Sequence, residues 1–184
     1  MITRDDALAA VKSNVRNKNL LKHMLAVEAI MRGLAQRLDE NPDRWALAGL
    51  VHDIDYDMTA DKPEEHSIKG AAMLSELGVD PDIVYAVKAH NEVHGLSRNR
   101  KMDKALYAAD PLSGLIVAAA LIHPDKKLAS IDTEFILNRF SEKSFARGAN
   151  REQISSCAEL GLELAEFIQI GLESMQTISA DLGL

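Results

Sequence analysis

Four histidines and two aspartates stand where a helical reading of the chain gives them mainly apolar neighbours: His23, His52, Asp53, His66, His90 and Asp110. Imidazole nitrogen and carboxylate oxygen both suit divalent transition metals such as Mn, Fe, Co, Ni or Zn. Burial of such groups is costly unless they are paired or bind a metal. Together they are enough to hold one or two ions. An ion held by few protein ligands keeps positions open for water or substrate and lowers the pKa of that water. Two ions could share the resulting hydroxide and clamp a phosphoryl group.

The elements that must position these groups are helices. His52 and Asp53 close an apolar run, Trp45 to Val51, that reads as a buried helix begun at Asn41-Pro42-Asp43. There Asn caps, Pro suits the first turn and Asp favours the dipole. Leu20, Met24, Val27, Met31, Leu34 and Leu38 predict an amphipathic helix over 19–38, with His23 on the side of Val27, Ile30 and Leu34. After a polar loop over 55–62, Pro63-Glu64-Glu65 opens a helix that Gly78 closes, with His66 sharing a face with Gly70, Met73 and Leu77. Asp80-Pro81-Asp82 repeats the capping signature, and the helix after it presents Ile83, Ala86, Val87 and His90 on one side. A loop over 91–100 leads to a helix over 101–121, where Asp110 faces the same way as Leu106, Ser113, Gly114 and Val117. Pro111 requires that helix to kink or a new one to begin. His123-Pro124-Asp125 breaks it. Shorter helices are expected over 3–13 and 131–140, and one long amphipathic helix, or two, over 151–178. No stretch sustains a period of two, so the fold class is all-α.

Each residue also has a plainer reading. A single His on an apolar face is commonly a hydrogen-bonded core residue. Asp110 before Pro111 reads equally as a helix N-cap, the device used at Asn41-Pro42 and Asp80-Pro81. Asp55 can cap a turn or orient a metal ligand. His94 and His123, in or beside loops, are expected to be solvated. Lys69, Lys104, Arg98 and Arg100 could meet phosphate or simply decorate the surface.

Composition narrows the function classes. At 184 residues, with 47% hydrophobic and 27% charged, the chain reads as one globular domain with a sizeable core. Aromatics are only 4%, which favours helix-on-helix packing over a sheet. A net charge of −7 argues against general affinity for nucleic acid polymers or anionic membranes. The lone Cys157 rules out an internal disulfide, fits a reducing cytoplasm and reads as a small buried residue rather than a nucleophile. The N-terminal stretch has no signal-peptide core, and no uninterrupted apolar run reaches the length of a membrane span; Val117 to Ile122 is the most apolar.

The order His23, His52-Asp53, Asp110 resembles the HD superfamily of metal-dependent phosphohydrolases. Ala48-Gly49-Leu50-Val51-His52-Asp53-Ile54-Asp55 looks like its central motif, Glu65-His66-Ser67-Ile68-Lys69-Gly70-Ala71 like the second-His segment of two-metal members, Ala86-Val87-Lys88-Ala89-His90-Asn91 like the next His segment, and Leu106-Tyr107-Ala108-Ala109-Asp110 like the closing one. Two residues depart from the pattern. Asn91 stands where relatives of diadenosine tetraphosphate hydrolases commonly have Thr, and Pro111 follows the closing Asp. The resemblance implies an HD-domain helical bundle over about 18–122, with a helical extension over about 125–184 that packs over the bundle, covers the site or builds a homodimer. It implies that His23, His52, Asp53 and Asp110 bind a primary metal. His66 and His90 would complete a second site or contact phosphate. Asp53 would bridge metals or orient water, and Lys69 would hold phosphate oxygens. The implied activity is hydrolysis of a phosphoester or phosphoanhydride of a small molecule, a nucleotide by family habit. A di-iron oxygenase built on the same ligands, or a non-catalytic metal-containing regulatory module, are the alternatives.

Overall fold

The computed structural model describes residues 2–184 and is helical, with no strand among them. Its elements are α1 (Arg4–Asn14), α2 (Lys18–Arg37), α3 (Pro42–Val51), α4 (Tyr56–Thr59), α5 (Ile68–Glu76), α6 (Pro81–His90), α7 (Lys101–Ile122), α8 (Thr133–Ser141), α9 (Arg151–Ser155), α10 (Leu164–Gln176) and α11 (Ser179–Leu182). The capping residues work as their types require. Thr3 and Asp6 form a reciprocal box at α1, Asn41 accepts from the Arg44 N–H at α3, and Asp80 accepts from the Asp82 N–H at α6.

The first layer is α2 against α3. Gly49 permits it: a Cβ there would lie 2.7 Å from the Val27 carbonyl oxygen and 2.8 Å from Glu28 Cα. Only glycine lets two backbones approach so closely. The approach brings the end of α3, with His52 and Asp53, beside His23 on α2.

The second layer is α7, which packs on α2, α6, α9 and α10. Leu106, Leu112, Leu115 and Ile116 on it are fully buried, and the core they anchor runs continuously from Ala7 to Leu182. Although no uninterrupted apolar run is that long, α7 at 22 residues is long and apolar enough on average to cross a membrane by length and composition. Its place inside the bundle accounts for that composition.

Two expectations are corrected. The helix expected from Pro63 starts only at Ile68, because residues 63–67 form turns and Ser67 is left-handed (φ 66°). The loop expected over 55–62 contains the short α4. Of the two readings of 151–178, one helix or two, the structure has two: α9 passes into a 3-10 segment, Ser156–Leu160, and turns at Gly161 before α10.

Pro111 neither starts a helix nor ends one; α7 runs through it. Its missing N–H frees the carbonyl one turn back, that of Tyr107. The Gln153 amide of α9 donates to that carbonyl at 2.8 Å. The N-cap reading of Asp110 falls with this, since Asp110 is inside α7.

Candidate metal centre

His23 comes from α2, His52 and Asp53 follow α3, His66 precedes α5, His90 ends α6 and Asp110 sits midway along α7. The fold brings all six together. His23 Nε2 is 3.1 Å from His52 Nε2 and 3.1 Å from Asp110 Oδ1; His52 Nε2 is 3.8 Å from that same oxygen. Asp53 stands between two pairs of imidazoles. Its Oδ2 faces His23 at 3.7 Å and His52 at 3.5 Å, while its Oδ1 faces His66 at 3.4 Å and His90 at 3.5 Å. Two ligand groups within this set are tight enough to surround an ion: His23 with His52 and Asp110, and His52 with Asp53 and His90.

Each ring is oriented from behind. His52 Nδ1–H donates to the Gly49 carbonyl at 2.8 Å and His90 Nδ1–H to the Val87 carbonyl at 2.5 Å. His66 Nδ1–H donates to Asp55 Oδ1 at 3.0 Å. The Ser113 hydroxyl spends its single proton on the Asp110 carbonyl, so it accepts from His23 Nδ1–H at 2.8 Å. All four imidazoles therefore turn Nε2 inward, and fixing the tautomer through the outer nitrogen is how metal-bound histidines are held. His23 and His52 face each other Nε2 to Nε2 at 3.1 Å, so a proton or a metal ion must lie between the two nitrogens.

The donor set fits a transition metal. For bonds of about 2.1 Å, neighbouring ligand atoms lie about 3.0 Å apart in an octahedron and about 3.4 Å apart in a tetrahedron. The distances around His23, His52, Asp110 and Asp53 Oδ2 run from 3.1 to 3.8 Å, from near the octahedral edge to a few tenths of an ångström beyond the tetrahedral one.

Burial and neighbouring charges set the electrostatics of the cluster. Burial pulls His52, which is fully buried, below the usual histidine range. Burial opposes the charged forms of the carboxylates too, yet the surrounding histidines win and hold Asp53 well below the usual carboxylate range and Asp110 below it. Burial also opposes charge on His66, but hydrogen bonds to Asp53 and Asp55 hold it up at about 9. The site opens on one side, where the side chains of His23 and Asp110 are 24% and 28% exposed; that of His90 is 3% exposed.

Asp55 makes no side-chain cap at α4 but holds the start of α5 and orients His66. Buried, it accepts from the Ser67 and Gly70 N–H groups at 2.8 Å each through Oδ2, and from His66 through Oδ1. This grip forces the left-handed Ser67 and delays the start of α5. His94 is not free in solvent: its Nε2 approaches the His66 carbonyl at 2.7 Å, beside Asn91, whose amide donates to the carbonyls of Pro63 and His66. His123 lies half-buried, edge-on to Phe135. Lys69, half-exposed on α5, pairs with Glu65 of the preceding turn. Arg98 stacks 3.6 Å from the Tyr107 ring centroid, Arg100 pairs with Asp82 at 2.7 Å, and Lys104 lies 3.9 Å from Glu159. Sequence reasoning missed Ser113 as a support for His23; its position one turn after Asp110 was the available signal.

The HD domain family model matches residues 20–121, more than half of the chain. The chain belongs to the HD domain family, which places it in a superfamily of metal-dependent phosphohydrolases. Among its relatives, Ribonuclease Y of Oleidesulfovibrio alaskensis is 31% identical over 98 residues, covering 53% of this chain and 18% of that protein. Ribonuclease Y of Desulfotalea psychrophila is 31% identical over 140 residues, covering 73% of this chain and 26% of that one. The chain thus spans no more than about a quarter of the length of these relatives.

Proposed function

We propose that this protein hydrolyses a phosphoester or phosphoanhydride bond of a nucleotide at the six-residue cluster. One observation carries the reading: four imidazoles from four helical segments, each fixed as the Nδ1–H tautomer, converge through Nε2 on Asp53 and Asp110. His23, His52, Asp110 and Asp53 Oδ2 would hold one divalent ion; His66, His90 and Asp53 Oδ1 would hold a second. Bound there, such ions supply Lewis acidity and a water acidified toward neutral pH. The chain's own part is to hold charge and geometry. Asp53, with one oxygen toward each half, fixes the spacing of the two halves. Asp55 and Ser113 keep His66 and His23 in the ligating tautomer. The exposed edge at His23 and Asp110 leaves one face for phosphate to enter.

The relatives' name favours a second reading, a phosphodiester bond within RNA. The net charge of −7 weighs against a long polyanion, so a mononucleotide or short oligonucleotide is the preferred substrate class.

The test is elemental analysis of untagged protein and its Asp53→Ala variant, followed by phosphate release from nucleotides and cleavage of a short RNA with the metal found. Metal and turnover in the parent, both lost in the variant, are expected. Unchanged turnover in Asp53→Ala would overturn the site. RNA cleavage without nucleotide turnover would replace the first substrate with the second. Iron after aerobic purification with neither activity would move the reading to an oxygenase.

A further inference from the structure

A cavity of about 410 Å³ lies between α2 and α7, and His23 and Ser113 form its inner end. It therefore borders the metal centre at one residue, His23, on the Ser113 side of its ring. Two helical stripes lead outward from the cluster along it. On α2 the stripe is His23, Lys22 and Asn19; on α7 it is Ser113, Gly114, Val117 and Leu121. Eight residues separate Ser113 from Leu121, so the α7 wall is about 12 Å long at the helical rise. Residues 182–184 close the far side, and they lie outside the stretch matched by the HD domain family.

Three features of the walls point to a ligand. Leu121 is 50% exposed, as is Ile122 beside it at the end of α7, and Leu121 borders this cavity. Lys22 gives one N–H to the Leu182 carbonyl at 2.7 Å and has no carboxylate within ion-pair distance among the described residues. Two of its three donors remain for an anion. At Gly114 a Cβ would meet nothing within 4 Å, so the middle of the α7 wall is bare backbone facing open space.

We propose that this cavity binds the organic part of the phosphoester substrate, a group of nucleoside length. Its apolar face would lie over Gly114, Val117 and Leu121, and Lys22 would meet an anionic oxygen next to the metal centre. The volume falls within the range of small-molecule sites, and such sites combine apolar walls with a few placed polar groups. The inference deepens the phosphohydrolase reading and rests on it. It makes Gly114 and Leu121 specificity-determining positions that touch the organic group and leave the ligands alone.

The experiment uses the metal-loaded full chain and two non-hydrolysable probes, the 5′-phosphonate analogue of AMP and methylphosphonate, measured by calorimetry. The parent should bind the nucleoside phosphonate at least about tenfold tighter than methylphosphonate. Gly114→Leu should erase that preference while methylphosphonate affinity stays within about twofold, and Gly114→Ala should keep most of it. Leu121→Glu, at an exposed position that does not threaten folding, should weaken only the nucleoside probe. No preference in the parent, or equal loss of both probes in Gly114→Leu and Leu121→Glu, would overturn the cavity's role. Failure of the hydrolase reading would look different: no phosphate released from any phosphoester by the metal-replete parent, whatever the two phosphonates do.

Discussion

Gly49→Ala is a one-methyl change that should damage both the fold and the metal centre. The new Cβ would sit 2.7 Å from the Val27 carbonyl oxygen and 2.8 Å from Glu28 N and Cα, all backbone atoms of α2 that cannot swing aside. Ordinary contact begins at 3.4 Å, so α3 must retreat by about 0.7 Å. The end of α3 carries His52, whose Nδ1 also binds the Gly49 carbonyl. If His52 follows, its 3.1 Å separation from His23, the shortest in the group together with His23–Asp110, opens toward about 3.8 Å, beyond the about 3.4 Å tetrahedral edge of about 2.1 Å bonds. Overpacking of this kind destabilises by about 1–3 kcal/mol. Helix propensity works the other way, since Ala is favoured over Gly by about 0.5–1 kcal/mol in a helix. A net loss would therefore be attributable to packing. Urea unfolding of the metal-free protein gives the stability, and competition with a chromophoric chelator gives the affinity, which should fall by about tenfold or more. A variant as stable as the parent and with the same affinity would refute the idea that a rigid glycine contact sets the spacing of the ligands.

Three further outcomes follow from the same structure. Ser113→Ala removes the acceptor for His23 Nδ1–H and should weaken metal binding by about 10–100-fold, with helicity unchanged; the chelator competition checks it. Gln153→Ala leaves the Tyr107 carbonyl without its donor and should lower stability by about 1–3 kcal/mol in urea unfolding, while Gln153→Glu, which cannot donate, should behave no better. Cys157 is 1% exposed and burial pushes its thiol up to about 11, so at pH 8 only about a thousandth is thiolate; a disulfide reagent should label it only after denaturant is added, and fast native labelling would contradict that placement.

The helices were legible because their signals are local. Asn41-Pro42-Asp43 and Asp80-Pro81-Asp82 combine cap, first-turn proline and dipole charge within three residues, and both start helices where expected. The periodicity over 19–38 likewise appears as α2. The six-residue cluster could be collected from sequence because its members share an unusual pairing of polar type with apolar helix face. What stayed hidden depends on partners far along the chain. The start of α5 is fixed by a carboxylate: Asp55 takes the Ser67 and Gly70 N–H groups from 12 and 15 residues away, and no cap signal near Pro63 reveals that. Lys69 was singled out by its place in a motif; in the fold it pairs with Glu65 of the turn before α5, a partner the motif does not reveal.

Asp110 shows how the two kinds of information combine. Locally, Asp-Pro reads as a helix start, because Pro has no N–H to give and its ring crowds the preceding turn. The chain pays that local penalty at the middle of its most buried helix, and the compensation comes from α9, where Gln153 supplies the missing donor to Tyr107. The tail therefore does more than cover apolar surface. It lets α7 stay continuous through Pro111, and only a continuous α7 places Asp110 within 3.1 Å of His23 while setting Ser113 one turn on to orient the same ring. A tail truncated before Arg151 should accordingly weaken metal binding more than its distance from the centre suggests. Adding a Pro111→Ala replacement, which restores the backbone N–H, should recover part of the loss. If the truncated chain binds metal as tightly as the full one, the continuity of α7 does not depend on Gln153.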